Sequence, residues 1–451
     1  MHDTTLTHKL KIISHRLFFH CITLSLILVA SLEAREFSDR DGRSISAEVQ
    51  FLGGLQYGTG INFGYGAIDT PGETKRATLS VAAKPKIGLS WELDALELYS
   101  DFSMVAATTT LDGELSGAIV RSGDQAVETD STKIGLRYGV FDFSVGGQEF
   151  TVGDGFVIGD GNFNKGDADG QYWIGAFSAW RNSAVLRINS SPIKADFFWL
   201  RTDDDLGDAR VGGINIETSA QVSRRGTLGL MYASIFDEEG LSLEGMKVFS
   251  VRGADIRIPG VRHMKFFGEY VMERGRSDLT GKKNQGNAWY IEGNYQWANF
   301  SWRPALFYRY SRFSGEKSET DATEEYRGLF FTIFKRDWDT WYQGEVAGEF
   351  HLFNQNQISQ MAKVKVFPRS DLSLGFWYYS HDLDTPHYFG KNVSDTDWSD
   401  EINLAVEYFP TKNLYTYLGF AWARPHQAAT EVFESDDDTF VIQTYISFTY
   451  Q

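Results

Sequence analysis

The run TFVIQTYISFTYQ, residues 439–451, constrains this chain more than any other stretch. Phe440, Ile442, Thr444, Ile446, Phe448 and Tyr450 share one parity, and Val441, Gln443, Tyr445, Ser447 and Thr449 share the other. Successive side chains of a strand point to opposite faces, so this segment has an apolar, aromatic face and a mostly polar one. Bacterial outer-membrane barrels end on such a strand, usually with an aromatic residue last; here Tyr450 is penultimate and Gln451 follows. A soluble sandwich can end the same way, so the rest of the sequence has to decide.

From residue 44 onward the pattern repeats, with runs of about ten residues separated by Gly, Asp, Asn and Ser clusters. Ile87, Leu89, Trp91 and Leu93 oppose Lys86, Ser90 and Glu92; Ile134, Leu136 and Tyr138 oppose Lys133 and Arg137. Ala184, Leu186 and Ile188 oppose Arg187, while Phe266, Tyr270 and Met272 oppose Lys265, Glu269 and Glu273. Trp302, Leu306, Tyr308 and Tyr310 oppose Arg303 and Arg309. Tyr342, Val346 and Phe350 oppose Gln343, Glu345 and Glu349, and Ile402, Leu404, Val406 and Tyr408 oppose Glu401, Asn403 and Glu407. One run alone fits any half-buried strand. Short turns alternating with long polar loops, as at 277–286 and 381–400, point instead to a transmembrane barrel.

Bulk composition agrees. The 451 residues include 34 Phe, 21 Tyr and 12 Trp against 9 Pro, a profile suited to a large sheet with aromatic girdles. A mean hydropathy of −0.30 is what alternating lipid-facing and water-facing residues average to. No apolar run beyond residue 34 is long enough for a membrane helix. A spanning chain must then close into a barrel so that its backbone groups are paired. The expectation is an all-β, single-domain, up-and-down antiparallel barrel of about eighteen strands, in the range of about 16–20.

Residues 1–34 read as a secretory signal. Lys9, Lys11 and Arg16 precede the apolar stretch 17–32, and small residues end it, giving cleavage after Ala34 and a barrel over 35–451. Cys21, the one cysteine, lies inside that leader, so the mature chain has no disulfide, thiolate metal site or thiol nucleophile. The net charge of −17 argues against nucleic acid as a partner. Its acidic residues crowd into loop-like segments at 203–205, 316–325, 395–401 and 434–438, which are solvated loops or places where divalent cations bridge to lipopolysaccharide.

With the apolar parity facing lipid, the polar parity lines an aqueous lumen. Arg137, Arg187, Arg303, Arg309, Lys265, Lys363 and Lys365 are the candidate pore-lining, anion-contacting residues. Glu269, Glu345, Glu349 and Glu407 are the acidic members of the same surface. Arginine offers planar paired donors to carboxylates, and basic rings select anions. The alternative is that these charges pair with one another and brace the wall. The Asp- and Gly-rich stretch 153–170 lacks the spacing of a helix-loop-helix calcium site, and turn chemistry accounts for it. No metal or cofactor is expected.

Three segments resemble the alginate-export family of outer-membrane porins. These are VGGQEFTVGDGFVIGDGNF (145–163), WRPALFYRYSRFSGE (302–316) and EINLAVEYFPTKNLYTYLGFAWARP (401–425). The resemblance implies an eighteen-stranded barrel with a basic constriction passing an acidic polysaccharide. Gly147 and Phe156 stand where that family carries basic residues, which removes two guanidinium groups from the implied constriction. The resulting expectation is an outer-membrane porin, not an enzyme, passing small hydrophilic or anionic saccharide solutes. It would sit among outer-membrane lipids and lipopolysaccharide as a monomer or homotrimer. The alternatives are an occluded structural or adhesion barrel, or an enzyme acting on lipid or polysaccharide.

Overall fold

A computed structural model describes residues 37, 38, 42–118, 121–161, 173–204, 207–218, 225–239, 243–261, 263–317, 321–330 and 342–450. The expected signal segment lies outside them. The first six strands are β1 (Arg43–Thr59), β2 (Lys75–Leu93), β3 (Leu96–Leu111), β4 (Gln125–Tyr138), β5 (Phe141–Gln148) and β6 (Trp180–Asn189). The next six are β7 (Ile193–Arg201), β8 (Arg210–Thr218), β9 (Thr227–Asp237), β10 (Met246–Ile256), β11 (Met264–Gly275) and β12 (Asn287–Gln296). The last six are β13 (Ala305–Phe313), β14 (Gln357–Arg369), β15 (Leu372–Leu383), β16 (Asp397–Thr411), β17 (Leu414–Pro425) and β18 (Thr439–Tyr450). Each pairs antiparallel with its neighbours in sequence, and β18 returns to β1 over the register Val49↔Tyr450 to Thr59↔Phe440. The result is a closed 18-strand barrel without a free edge.

The side-chain alternation partitions the two faces as the sequence required. On β18, Phe440, Ile442, Ile446, Phe448 and Tyr450 are exposed, while Thr439, Val441 and Gln443 are buried. Ile87, Leu89, Trp91 and Leu93 on β2, and Ile134, Leu136 and Tyr138 on β4, are likewise exposed outward. Inward positions carry Ser80, Ser144, Glu269, Glu292, Ser311, Ser359, Asn403 and Glu407, all buried. An apolar belt outside and polar rows inside invert the arrangement of a soluble sandwich. No described helix is long and apolar enough to cross a membrane, so the strands alone could do so.

The two ends of the barrel differ. Connections 94–95, 139–140, 190–192, 370–371 and 412–413 are tight, and all lie at the end that holds Arg43 and Tyr450. The opposite end carries 60–74, 112–124, 149–179, 314–356, 384–396 and 426–438. All four acidic runs fall at that long-loop end. There the one described α-helix, α1 (Gln427–Phe433), is tied to loop 384–396 through Glu431. The Glu431 carboxylate accepts the Ser394 hydroxyl, the Ser394 N–H at 2.7 Å and the Gln427 amide at 3.2 Å.

Two sequence expectations move. Residues 342–353 are not a wall strand: positive φ at Gln343, Gly344 and Phe353 breaks the extended path, and Gly348–Leu352 forms a single π-helical turn. The run has apolar residues on both parities (Val346, Ala347, Phe350, Leu352), which suits burial on several sides better than a two-faced wall. Trp302 and Arg303 precede the strand they were expected to begin. Both have positive φ in the turn 297–304, and β13 starts at Ala305.

Two outcomes follow. Ile442→Arg, on the outward face, should destabilise the barrel in lipid by about 2–4 kcal/mol if it sits near the bilayer midplane. Chemical unfolding from vesicles measures this, and the exposed loop change Asp436→Arg serves as the neutral reference. The second concerns pH. Hydrogen bonds from the Ser394 hydroxyl, then from its N–H and from Gln427, hold the Glu431 carboxyl below its ordinary range. A depressed folded value means the tie is intact above the ordinary carboxylate range and is lost as pH falls through the lowered value. The hydrogen-exchange protection factor of the Ser394 amide should therefore persist through the ordinary carboxylate range and collapse only at lower pH, as the depressed Glu431 carboxyl takes up its proton.

Candidate functional site

The described parts of loops 149–179 and 314–356 pack against the inner wall and narrow the lumen. They are joined by a short parallel bridge, with Phe330 N–H donating to Val157 at 3.0 Å and Gly159 N–H donating to Phe330 at 2.5 Å. Phe156 packs edge-on to Tyr290 of β12 and lies 5.8 Å from the Phe313 ring of β13. Trp173, Ile174 and Phe177 pack on Leu52, Ala82, Val105 and Ala107 of β1–β3. Gly54 on β1 makes that approach possible, because a Cβ there would lie 2.6 Å from both Trp173 and Ile174. The clusters fill a large part of the lumen at the long-loop end.

A loop inside a barrel brings backbone N–H groups that need acceptors. Carboxylates on the wall supply several. Asp130 of β4 accepts the N–H groups of Ser178 at 2.8 Å and Ala179 at 3.0 Å, and pairs with Lys84 Nζ at 2.6 Å. Glu273 of β11 accepts the Arg327 N–H at 3.1 Å. Neither was singled out as a site residue from the sequence. Glu273 stands on the polar parity of its strand, whereas Asp130 shares the even parity of Ile134 and Leu136 and is turned inward by the register shift between Phe102↔Thr132 and Met104↔Thr129, which the alternation does not reveal.

The seven expected cations occupy different settings. Arg137 of β4 bridges Glu97 at 2.9 Å and Asp142 at 3.1 Å across both neighbouring strands, with its guanidinium 4.3 Å from the Tyr99 ring. Arg187 of β6 stands in register between Asp142 and Asp196 and over the Phe150 ring at 5.7 Å. These five groups make a row of alternating charge, Glu97–Arg137–Asp142–Arg187–Asp196, along the inner wall. Arg309 of β13 is fully buried, 3.6 Å from Glu292 of β12. Lys365 of β14 pairs with Glu407 of β16 at 2.6 Å, and Glu407 also accepts the Ser373 hydroxyl at 2.7 Å. Glu269 accepts the Ser250 hydroxyl. Glu345 and Glu349 lie on the inward loop rather than on the wall, Glu345 accepting the Gln443 amide of β18 at 2.6 Å.

Four of the cations gather near the short-turn end. A cavity of about 350 Å³ there is lined by Lys265, Phe267, Asn294, Phe307, Lys363 and Phe367, among others. Lys363 Nζ lies 4.7 Å from the Phe307 ring and 5.0 Å from the Trp377 ring. Arg303, in its turn, and Lys365 each stand 5.6 Å from the Phe367 ring. Lys265 pairs with Asp255 at 2.8 Å, yet its side chain stays 43% exposed, open to the lumen. No group of three metal-ligating side chains occurs among the described residues.

One triad-like set occurs on β14–β16. Ser359 Oγ lies 2.8 Å from His381 Nδ1, and His381 Nε2 lies 3.9 Å from Glu401. The last separation exceeds a hydrogen bond. All three side chains are buried, and Ser359 Oγ also accepts the Gln357 amide at 2.7 Å. The arrangement offers no exposed nucleophile to a substrate.

No family model and no curated sequence matches the chain. Solved structures do. Pseudomonas aeruginosa OprD aligns with a TM-score of 0.57 at 11% identity over 93% of this chain and 97% of its own. P. aeruginosa OccK5 (OpdH) gives 0.55 at 10% identity over 90% and 98%. P. aeruginosa OpdL gives 0.57 at 9% identity over 90% and 98%. The chain has the fold of these OprD and Occ porins, and the comparisons give no support to the alginate-export resemblance.

The Lys365–Glu407 pair yields a direct test, since both side chains are 5% exposed. Glu407→Leu alone should cost about 3–5 kcal/mol by leaving the Lys365 ammonium buried without its acid. Adding Lys365→Met should recover most of the loss. Equilibrium unfolding of the two variants beside the parent decides it.

Proposed function

We propose that this chain is a bacterial outer-membrane porin that lets hydrophilic solutes, small anions among them, diffuse passively. The observation that carries the reading is the sidedness of the closed wall: exposed Leu, Ile, Phe and Tyr outward, buried Ser, Gln, Glu, Arg and Lys inward. Such a belt is at home only against acyl chains, and a barrel of this strand number encloses an aqueous path unless loops close it. The P. aeruginosa neighbour OprD is an outer membrane protein, and the fold shared with it supports the same setting here. Tight turns then face the periplasm and the acidic long loops face outward, where divalent cations can link them to lipopolysaccharide.

For anionic solutes, the supporting feature is the gathering of Lys265, Arg303, Lys363 and Lys365 around the short-turn cavity. Lys265 and Lys365 also pair there, with Asp255 and Glu407, Lys265 staying partly exposed; elsewhere Arg137 pairs with Glu97 and Asp142, and buried Arg309 with Glu292. Bracing accounts for those. Saccharide-sized acids would reach the short-turn cluster last on entering or first on leaving. Among the described residues, the Ser359–His381–Glu401 set is sealed within the wall and presents no nucleophile to a solute. The rival reading, a barrel occluded by its own loops, draws on the apolar clusters inside the long-loop end.

Planar-bilayer recording separates the two. Discrete conductance steps are expected from purified protein, and a silent bilayer at high protein would end the channel reading. In a salt gradient, Lys265→Ser with Arg303→Ser should shift the reversal potential toward cation selectivity. Arg309→Ser, which removes a wall-bound charge, should leave selectivity unchanged in whatever fraction folds.

A further inference from the structure

The geometry points to Glu401 as the positioning residue that holds segment 342–353 against the inner wall and thereby sets the width of the pore. The inference rests on the channel reading and adds to it a named determinant of the constriction. Glu401 acts through the loop and does not meet solute.

The Glu401 side chain is fully buried on the inner face of β16. Its Oε1 accepts the N–H groups of Glu345 at 2.6 Å and Val346 at 3.1 Å, and its Oε2 accepts that of Ala347 at 2.8 Å. Three successive amides converging on one carboxylate form an anion-binding nest, here occupied by the protein's own wall. Gly344 makes the approach possible. Its φ is +110°, and a Cβ at that position would fall 2.8–2.9 Å from the Glu401 carboxylate atoms. No L side chain fits there without moving the loop or the acid.

The nest is the centre of a wider attachment. The Ser311 hydroxyl of β13 donates to Gln343 at 3.3 Å, and Gln443 of β18 donates to Glu345 at 2.6 Å. Segment 343–347 is thus tied to three separated strands, with Glu401 taking all the backbone contacts. Val346 and Ala347 of that segment, with Phe350 and Leu352 just after it, pack with Trp398, Ala421 and Val441 of the wall. Loss of the carboxylate would leave three amides without acceptors, those of Val346 and Ala347 in buried residues, a cost the segment relieves by moving off the wall into water. The loop would then swing from a fixed bar into a mobile one.

The experiment compares wild type, Glu401→Ala and Gly344→Ala in planar bilayers and in proteoliposome swelling with sugars of increasing size. Barrel closure is checked by heat-modifiable electrophoretic mobility. Gly344→Ala keeps every charge and disturbs only the nest, so it carries the test if Glu401→Ala fails to close. Either closed variant should show single-channel conductance raised about twofold or more, added current noise and a larger sugar cut-off. Glu401→Gln, which retains one accepting oxygen, should fall between wild type and Glu401→Ala. Closed variants with wild-type conductance and cut-off would overturn the assignment. A silent wild type beside a conducting variant would uphold the Glu401 role while overturning the open-channel reading. Silence in all of them would overturn both.

Discussion

Everything in this fold follows from the need to pair backbone N–H and C=O groups where water cannot reach them. In hydrocarbon an unpaired strand edge costs several kcal/mol per group, so a sheet that spans must close on itself. The register between β1 and β18, from Val49↔Tyr450 to Thr59↔Phe440, meets that need. Once the wall is closed, every strand has one lipid side and one lumen side. The two-residue period of the sequence is then no longer a preference but a geometric consequence.

The same accounting continues inside. Loops that enter the lumen carry donors that neither lipid nor sheet can satisfy, and the wall answers with carboxylates. Asp130 takes the amides of 178–179, Glu273 that of 327, and Glu401 those of 345–347. Positive side chains on the wall face a related demand. Arg137, Arg309 and Lys365 each stand beside an acid on an adjacent or nearby strand, which lowers the cost of their burial. Many inner charges therefore serve the architecture, and the sign of a lumen residue alone says little about what it passes.

The wall was legible because its code is local. Parity along 402–408 or 439–450 needs no knowledge of distant residues, and strand number follows from chain length and spacing. The inward loops were not legible in the same way. Residues 342–350 alternate well enough to imitate a strand, and only the positive φ at Gln343 and Gly344 removes them from the wall. Turn entry was misjudged at 302–304 for a related reason, since Trp302 and Arg303 carry the alternation back ahead of the start of β13. Glu401 was readable as an inward acid, but its partners lie more than fifty residues away in sequence. Long-range pairing of this kind leaves no periodic signature.

The distribution of committed and uncommitted charge links the wall to selectivity. Around Arg137 and Arg187 positive and negative groups alternate in a single row, so their fields largely cancel at distances beyond the Debye length. Near the short-turn end the balance tips. Lys265 has Asp255 and Lys365 has Glu407, while Arg303, in its turn, rests on Phe367. Aromatic faces stabilise a cation without neutralising it. On the porin reading proposed above, solute size would be set at the long-loop end, where the loops pack against the wall, and charge at the short-turn end.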